Sequence, residues 1–157
     1  MSTTVVAALA GVAVMANAVV YGTDMFAGAV MRSAYARMDD ATMTLAAGWG
    51  HHYADRRMPA FGVPGVVVAL GATVAAALWG GADAAIAGGV AVVALLAWLV
   101  VYAIVAKPVN ERQKEAARTG VIPADARDLQ RRWDSVAPLR IALQAVALVA
   151  LLVMVAV

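Results

Sequence analysis

The chain has 157 residues, of which 64% are hydrophobic and 14% are charged, and its formal net charge is +2. Soluble domains carry about 25% charged residues, so this composition excludes an ordinary soluble domain and favours a membrane protein. The sequence contains no cysteine, which excludes disulfides, thiolate metal sites and thiol redox chemistry. Nothing in the sequence indicates a nucleic-acid partner.

Four stretches of 17 to 25 residues contain no charged residue, and about 20 apolar residues are needed to cross a bilayer. We therefore predict an all-α protein, a four-helix transmembrane bundle that forms a single domain. The predicted spans are at about 3–23, 59–80, 83–106 and 138–157. The two segments between them that hold most of the charge, 24–58 and 107–140, are predicted to be polar helical loops that form a cap on the bundle.

All 12 lysines and arginines lie in these two loops. The positive-inside rule then puts both loops in the cytoplasm and both termini outside the cell membrane. The first span has neither a basic segment before it nor a convincing processing site, so we expect a retained span rather than a cleaved signal peptide. The lipid bilayer is the expected partner, and a homo-oligomer is compatible with the sequence.

The first span ends in three polar residues, Asn17, Tyr21 and Asp24. Their spacing of i, i+4 and i+7 places them on one stripe of a helix. Because polar groups at membrane depth are costly, they normally face a cavity or the bundle interior. Either the stripe belongs to a functional site, or Asn17 joins two helices while Asp24 pairs with an arginine.

The first loop contains the only two histidines, His51 and His52, followed by Asp55. Either imidazole can share a helix face with this carboxylate. Adjacent residues point about 100° apart on a helix, so both histidines can bind one metal ion only if the helix is broken. A metal site formed by His51, His52 and Asp55 is therefore less favoured than an interfacial hydrogen-bonded pair beside lipid phosphates.

A second polar stripe is formed by Trp133, Arg140 and Gln144 at the start of the last span. The expected partner of Arg140 is Asp24, since each is otherwise an unpaired charge near hydrocarbon. In the third span, Trp98 and Tyr102 are spaced i, i+4. They either line a pocket for a flat molecule or pack against neighbouring helices.

The four spans, Pro108 and Asn110 after the third span, Trp133 in a polar helix and Arg140 at the start of the last span together resemble the anthrone oxygenase family of small integral membrane proteins. The resemblance covers nearly the whole chain. The YGTD and HHYADRRMP segments resemble features of an actinobacterial subgroup. The resemblance implies oxidation of a polycyclic phenolic anthrone to an anthraquinone by dioxygen, as in polyketide pathways. It assigns no catalytic residue.

The residues themselves suggest roles in such a reaction. A base that removes the weakly acidic proton of an anthrone yields an enolate that reacts with dioxygen, either without a cofactor or with a single transition metal. His51, His52 or Asp24 can be the base, while Arg140 and Asn110 can stabilise the developing oxyanion. The substrate-binding residues are expected to be Asn17, Tyr21, Trp133, Gln144, Trp98 and Tyr102.

Two other classes of function stay open. A non-catalytic helper subunit that binds lipid or a membrane partner needs the same polar features. A small transporter is less favoured, because Asp24 lies at the end of a span and the two halves show no inverted repeat. An aromatic-lined pocket that joins the two polar stripes would favour an enzyme that acts on a hydrophobic aromatic molecule.

Overall fold

The computed structural model describes residues 2–157, and Met1, where the first uncharged stretch begins, lies outside the described residues. The described chain is all helical, which confirms the predicted fold class. Its α-helices are α1 (Ser2–Phe26), α2 (Arg32–Tyr35), α3 (Asp40–Arg57), α4 (Pro59–Ala75), α5 (Ala82–Val101), α6 (Lys107–Thr119) and α7 (Ala126–Ala156).

Three of these helices continue beyond their ends through a single π-helical turn. The turns are Ala27–Met31 after α1, Ala76–Gly80 after α4 and Tyr102–Ala106 after α5. As a result, α1 runs on into α2 and α5 runs on into α6, so that two of the spans extend into the predicted cap. Four continuous helices are long and apolar enough to cross a membrane, namely Thr3–Tyr35, Pro59–Gly80, Ala82–Thr119 and Ala126–Ala156.

The four spans form a ring in which each helix packs mainly on two neighbours. Helix α1 packs on α4 and α7, and α5 packs on the same two helices from the other side. The interior of the ring consists largely of alanine, because small side chains let helices approach closely where lipid provides no hydrophobic drive for association. The large apolar side chains Val63, Val67 and Val93 remain more than 60% exposed, as expected of a surface that faces lipid.

The cap consists of α3 packed along α6. Asp39 caps the N-terminus of α3, because its Oδ1 accepts a hydrogen bond from the Thr42 amide at 2.9 Å. Gly120 ends α6 in the left-handed conformation (φ 75°), as its position after a polar helix predicts. The last helix starts at Ala126, after a turn in which the Ala126 amide donates to the Pro123 carbonyl at 3.1 Å.

Arg127, at the start of α7, ties the first loop to the second. Its Nε lies 2.6 Å from Oδ1 of Asp40, and its Nη1 donates to the backbone carbonyl of Tyr35 at 2.9 Å. The Tyr35 carbonyl is at the end of α2, where the backbone acceptors have no helical partners. The guanidinium therefore binds a backbone carbonyl at the end of α2 and a carboxylate in the first turn of α3.

The contact between α3 and α6 depends on Gly48. A Cβ at this position would lie 2.2 Å from the Gln113 carbonyl oxygen, whereas a Cβ at Gly50 would meet no atom within 4 Å. We expect Gly48→Ala to destabilise the protein by about 1–3 kcal/mol through overpacking. Gly50→Ala on the same helix should be neutral or stabilising by up to about 1 kcal/mol, since alanine is the better helix former.

Thermal unfolding of both variants in detergent, followed by circular dichroism, measures this difference. Equal stability of the two alanine variants would show that α3 and α6 do not pack at Gly48.

Candidate functional site

A buried ion pair joins the first and last spans. Arg140 Nη2 donates to Asp24 Oδ1 at 2.5 Å, and only 7% of each side chain is exposed. The second carboxylate oxygen of Asp24 accepts a hydrogen bond from Trp98 Nε1 at 2.8 Å. The pairing of Asp24 with Arg140 agrees with the prediction from the sequence, and the bond to Trp98 ties the third span to the same point.

Three aromatic rings surround the Arg140 guanidinium. Its Cζ lies 5.4 Å, 5.9 Å and 5.1 Å from the ring centroids of Trp98, Tyr102 and Trp133. These distances are within the ~6 Å of a cation–π contact. Trp98 and Tyr102 stack on each other with an interplanar angle of 8° and a centroid separation of 5.7 Å. The guanidinium is therefore held in one orientation by a carboxylate and by flat apolar surfaces.

A second polar network centres on Asp55 of α3. Its Oδ1 accepts hydrogen bonds from the Tyr102 hydroxyl at 3.1 Å and from Asn110 Nδ2 at 3.4 Å, and its Oδ2 lies 2.8 Å from Lys114 Nζ. Oδ1 of Asn110 in turn accepts a hydrogen bond from Trp133 Nε1 at 3.1 Å. The Asp55 network therefore connects the cap to the third and last spans.

His51 lies between these two networks. Its ring centroid is 5.9 Å from that of Trp133. Burial lowers the pKa of His51 to about 4, against an opposing effect of the Asp55 carboxylate and with a further lowering by Arg140. Removal from water disfavours the charged imidazolium. His51 is therefore a neutral imidazole at physiological pH, and its unprotonated ring nitrogen can accept a proton.

A cavity of about 550 Å³ opens beside the ion pair, and its wall includes side chains from α1, α3, α4, α5, α6 and α7. This volume falls within the range of about 300–1,000 Å³ of small-molecule pockets. Val63 and Val67 of α4 line the cavity and are 61% exposed, so the cavity is not closed on this side. The cavity therefore opens on the apolar surface that faces lipid.

Most of the residues predicted from the sequence to form the site line this cavity. They are Asn17, Asp24, His51, Asp55, Trp98, Tyr102, Asn110, Trp133, Arg140 and Gln144. The two polar stripes thus meet in one pocket with aromatic walls. Asn17 also joins two helices, because its Nδ2 donates to the Gln144 backbone carbonyl at 3.1 Å.

The other two predicted residues, Tyr21 and His52, do not line the cavity. Of the two histidines that the sequence offers as a base, His51 is therefore the one at the cavity. His52 follows His51 on an unbroken helix and points elsewhere by the ~100° rotation between adjacent residues. Its Nε2 lies 3.1 Å from Arg56 Nη1, and it lines a separate polar pocket with Lys107, Glu111 and Lys114.

The ligand set considered for a metal, His51, His52 and Asp55, does not converge. Among residues 2–157 there is no group of three histidine, aspartate or glutamate side chains placed to hold a metal ion. Asp55 also has its oxygens engaged by Tyr102, Asn110 and Lys114. These residues do not fit a transition-metal site.

Two further members of the site could not be recognised in the sequence. Lys114, the partner of Asp55, is one of many charged residues on an amphipathic helix, and no feature distinguishes it from its neighbours. Gln130 lines the cavity while accepting from Gln113 Nε2 at 3.0 Å and donating to Asp134 at 2.9 Å. The packing of α6 against α3 selects Lys114, and the packing of α6 against α7 selects Gln130.

A double-mutant cycle measures how strongly the charges of Asp24 and Arg140 interact in the folded protein. Removing one member of a buried pair leaves an uncompensated charge and costs about 3–5 kcal/mol. We therefore expect Asp24→Ala or Arg140→Ala alone to lower the melting temperature and the folded yield in detergent. The double variant should be less destabilised than the sum of the two single variants.

Asp83→Ala serves as the matched control, because this carboxylate is exposed at the opposite end of the bundle and its loss should leave stability within about 0.5 kcal/mol of the parent protein. Strict additivity of the two single substitutions would show that the two charges do not interact in the folded protein.

No family model matches the chain, and no curated protein or solved structure is significantly similar to it. The likeness to the anthrone oxygenase family therefore stays a prediction from the sequence.

Proposed function

We propose that the protein is a membrane-embedded oxygenase that takes a polycyclic phenolic molecule from the lipid phase and oxidises it with dioxygen. The observation that carries this proposal is the combination, in one aromatic-lined cavity, of a neutral imidazole and a buried guanidinium. A helper subunit has no need of a proton acceptor and an anion-stabilising group that face the same enclosed space.

The cavity supports a flat apolar substrate. The stacked rings of Trp98 and Tyr102 and the ring of Trp133 offer the flat surfaces on which an aromatic molecule packs. The lipid-facing opening beside Val63 and Val67 suits a molecule that is dissolved in the membrane.

In this proposal His51 is the general base. An anthrone carries a CH₂ carbon between two aromatic rings, and loss of one proton from this carbon gives a delocalised enolate. His51 accepts that proton as a neutral imidazole, and the neighbouring Asp55 carboxylate stabilises the imidazolium that forms. The negative charge on the substrate collects at its carbonyl oxygen. Arg140, whose orientation Asp24 fixes, stabilises that oxygen electrostatically.

The enolate then reacts with dioxygen in two stages. Electron transfer and recombination form a carbon–oxygen bond, and the peroxide takes up a proton to give a hydroperoxide on the former CH₂ carbon. Removal of the second proton from this carbon forms the new carbonyl as the O–O bond breaks, and the departing hydroxide becomes water. The net change converts one CH₂ and one O₂ into one C=O and one H₂O.

This route needs no metal ion, which agrees with the failure of His51, His52 and Asp55 to converge. The proposal therefore takes the cofactor-independent of the two forms of dioxygen chemistry considered from the sequence. Dioxygen is more soluble in hydrocarbon than in water, so the same lipid-facing opening serves both reactants.

The two adjacent histidines provide a matched pair for testing the base. We expect His51→Ala to lower the rate of anthrone oxidation by about 100-fold or more, since general bases contribute 10²–10⁴-fold. His52→Ala should stay near the parent rate, because its ring faces a different pocket. Anthraquinone formation and oxygen consumption by purified protein in nanodiscs are the two measurements.

The dependence of kcat/KM on pH is a second test of whether His51 is the general base. His51 must be unprotonated to act, and its lowered pKa predicts that the rate falls only as the pH drops through about 4. An ordinary histidine would give the same loss near pH 6.5. Full activity of His51→Ala would exclude His51 as the base. Stoichiometric binding of an anthrone with no oxygen consumption by the parent protein would favour the helper subunit.

The orientation in the membrane belongs to the same proposal, with both charged loops in the cytoplasm and both termini outside. It is supported by the position of all 12 basic residues in these loops. In intact cells, an impermeant thiol reagent should label Asp83→Cys, in the first turn of α5, and should not label Arg118→Cys, in α6. Labelling of Arg118→Cys alone would reverse the orientation.

A further inference from the structure

A second pocket, of about 410 Å³, lies between the cap and the end of the third span. Its wall is formed by the end of α3, the π-helical turn after α5 and the first half of α6. Every side chain that lines it is polar or charged, in contrast to the largely apolar wall of the cavity described above. The lining residues are His52, Asp55, Arg56, Tyr102, Lys107, Glu111 and Lys114. This polar pocket suits a charged ligand.

The charges that line the polar pocket are not balanced. Lys114 Nζ lies 2.8 Å from Asp55 Oδ2 and 2.8 Å from Glu111 Oε1, so one lysine is paired with both carboxylates of the pocket. Arg56 and Lys107 form no ion pair with any carboxylate among residues 2–157. Three cations and two carboxylates leave one net positive charge, which a ligand with a single negative charge neutralises.

The Arg56 guanidinium is oriented by the neighbouring histidine. Its Nη1 lies 3.1 Å from His52 Nε2. Because a guanidinium only donates hydrogen bonds, this nitrogen of His52 is the acceptor and the imidazole is uncharged. A guanidinium has five N–H donors, so most of the Arg56 donors remain for a ligand. Arginine forks match the oxygens of a phosphate, and lysine binds the same group as a point charge.

The two unpaired cations lie where spans meet the polar cap. Arg56 is three residues before Pro59, the first residue of α4, and Lys107 begins α6 directly after the third span. Lipid phosphates lie at this depth of a bilayer, and basic pockets between transmembrane helices bind anionic head groups. About one and two turns before Lys107 on the same continuous helix, Ile104 and Val100 are 64% and 55% exposed. An acyl chain can lie against these side chains while its head group occupies the pocket.

We propose that the polar pocket binds the phosphate of an anionic phospholipid. Arg56 donates hydrogen bonds to the phosphate oxygens, and Lys107 supplies the second positive charge. A zwitterionic lipid is bound less tightly, because its ammonium group adds a cation beside two cations that already lack partners. The lipid site goes beyond the oxygenase proposal and does not depend on it.

Native mass spectrometry of the full chain in a non-ionic detergent tests the site by counting bound lipids. The protein is titrated with phosphatidylglycerol or with phosphatidylcholine that has the same acyl chains. Each basic side chain near an anionic lipid contributes roughly fivefold in affinity. We therefore expect the first phosphatidylglycerol to bind about tenfold or more tightly than the first phosphatidylcholine. Combining Arg56→Gln with Lys107→Gln should remove this preference.

The matched control combines Arg37→Gln with Arg132→Gln. It removes the same number of positive charges from two exposed arginines that do not line the polar pocket, so the preference should stay within about twofold of the parent value. Combining Arg56→Lys with Lys107→Arg keeps both charges and should retain the preference. Melting temperatures establish that each variant is folded.

A second titration separates a lipid phosphate from a phosphate in solution. Inorganic phosphate and glycerol phosphate at millimolar concentration should not displace bound phosphatidylglycerol, because neither has an acyl chain. Displacement by either of them would assign the pocket to a soluble phosphate and overturn the lipid site.

Equal binding of the two lipids would also overturn the proposal. The same holds if the control pair lowers the preference as much as the pocket pair does, since that result would mean a general attraction between a basic protein and anionic lipid. Oxygen consumption is not measured in these titrations, so the lipid site and the oxygenase proposal can fail independently.

Discussion

The ion pair between Asp24 and Arg140 is the interaction on which the site depends. Each charge would be very costly alone in a low-dielectric interior, and the two lie 2.5 Å apart with only 7% of each side chain exposed. The pair joins α1 to α7, and the hydrogen bond from Trp98 adds α5. Three of the four spans therefore meet at this ion pair. Their meeting also brings the aromatic rings close to Arg140.

The Asp55 network extends this constraint into the cap. Tyr102 stacks on Trp98 at one end and donates to Asp55 at the other, so the rings beside the ion pair and the carboxylate of α3 share one side chain. The close approach of α3 to α6 at Gly48 holds Asp55 within reach of Lys114. His51 is thereby held beside Trp133 and largely removed from water, and this desolvation lowers the pKa of its imidazole to about 4.

The cavity exists because the contact between α4 and α5 is less extensive than the other three contacts between neighbouring spans. Helix α4 packs closely on α1, where Gly65 approaches Ala16, and less extensively on α5. The cavity extends to side chains of α4 that face lipid, while its polar groups lie on α1, α3, α6 and α7. The cavity thus joins apolar side chains of α4 to the guanidinium of Arg140 and the imidazole of His51 in one space.

The sequence alone determined the helical bundle, because runs of apolar residues of bilayer length have few alternatives in a membrane. It also predicted the partner of Arg140, since an isolated charge at that depth is so unfavourable, and it placed Asn17, Asp24 and Gln144 on interior stripes through the helical period. These predictions need only local periodicity and the cost of burying a charge.

Only the tertiary structure decided which of two adjacent histidines faces the cavity, because His51 and His52 are equivalent in composition and differ by one rotation step on α3. It also decided that Trp98 and Tyr102 form the wall of a pocket, that Tyr21 lies outside it, and that Lys114 binds Asp55. Each of these facts depends on how far one helix is rotated and shifted against another. That arrangement is set by the sum of many small packing contacts across α3, α6 and α7, and no single residue pattern encodes it.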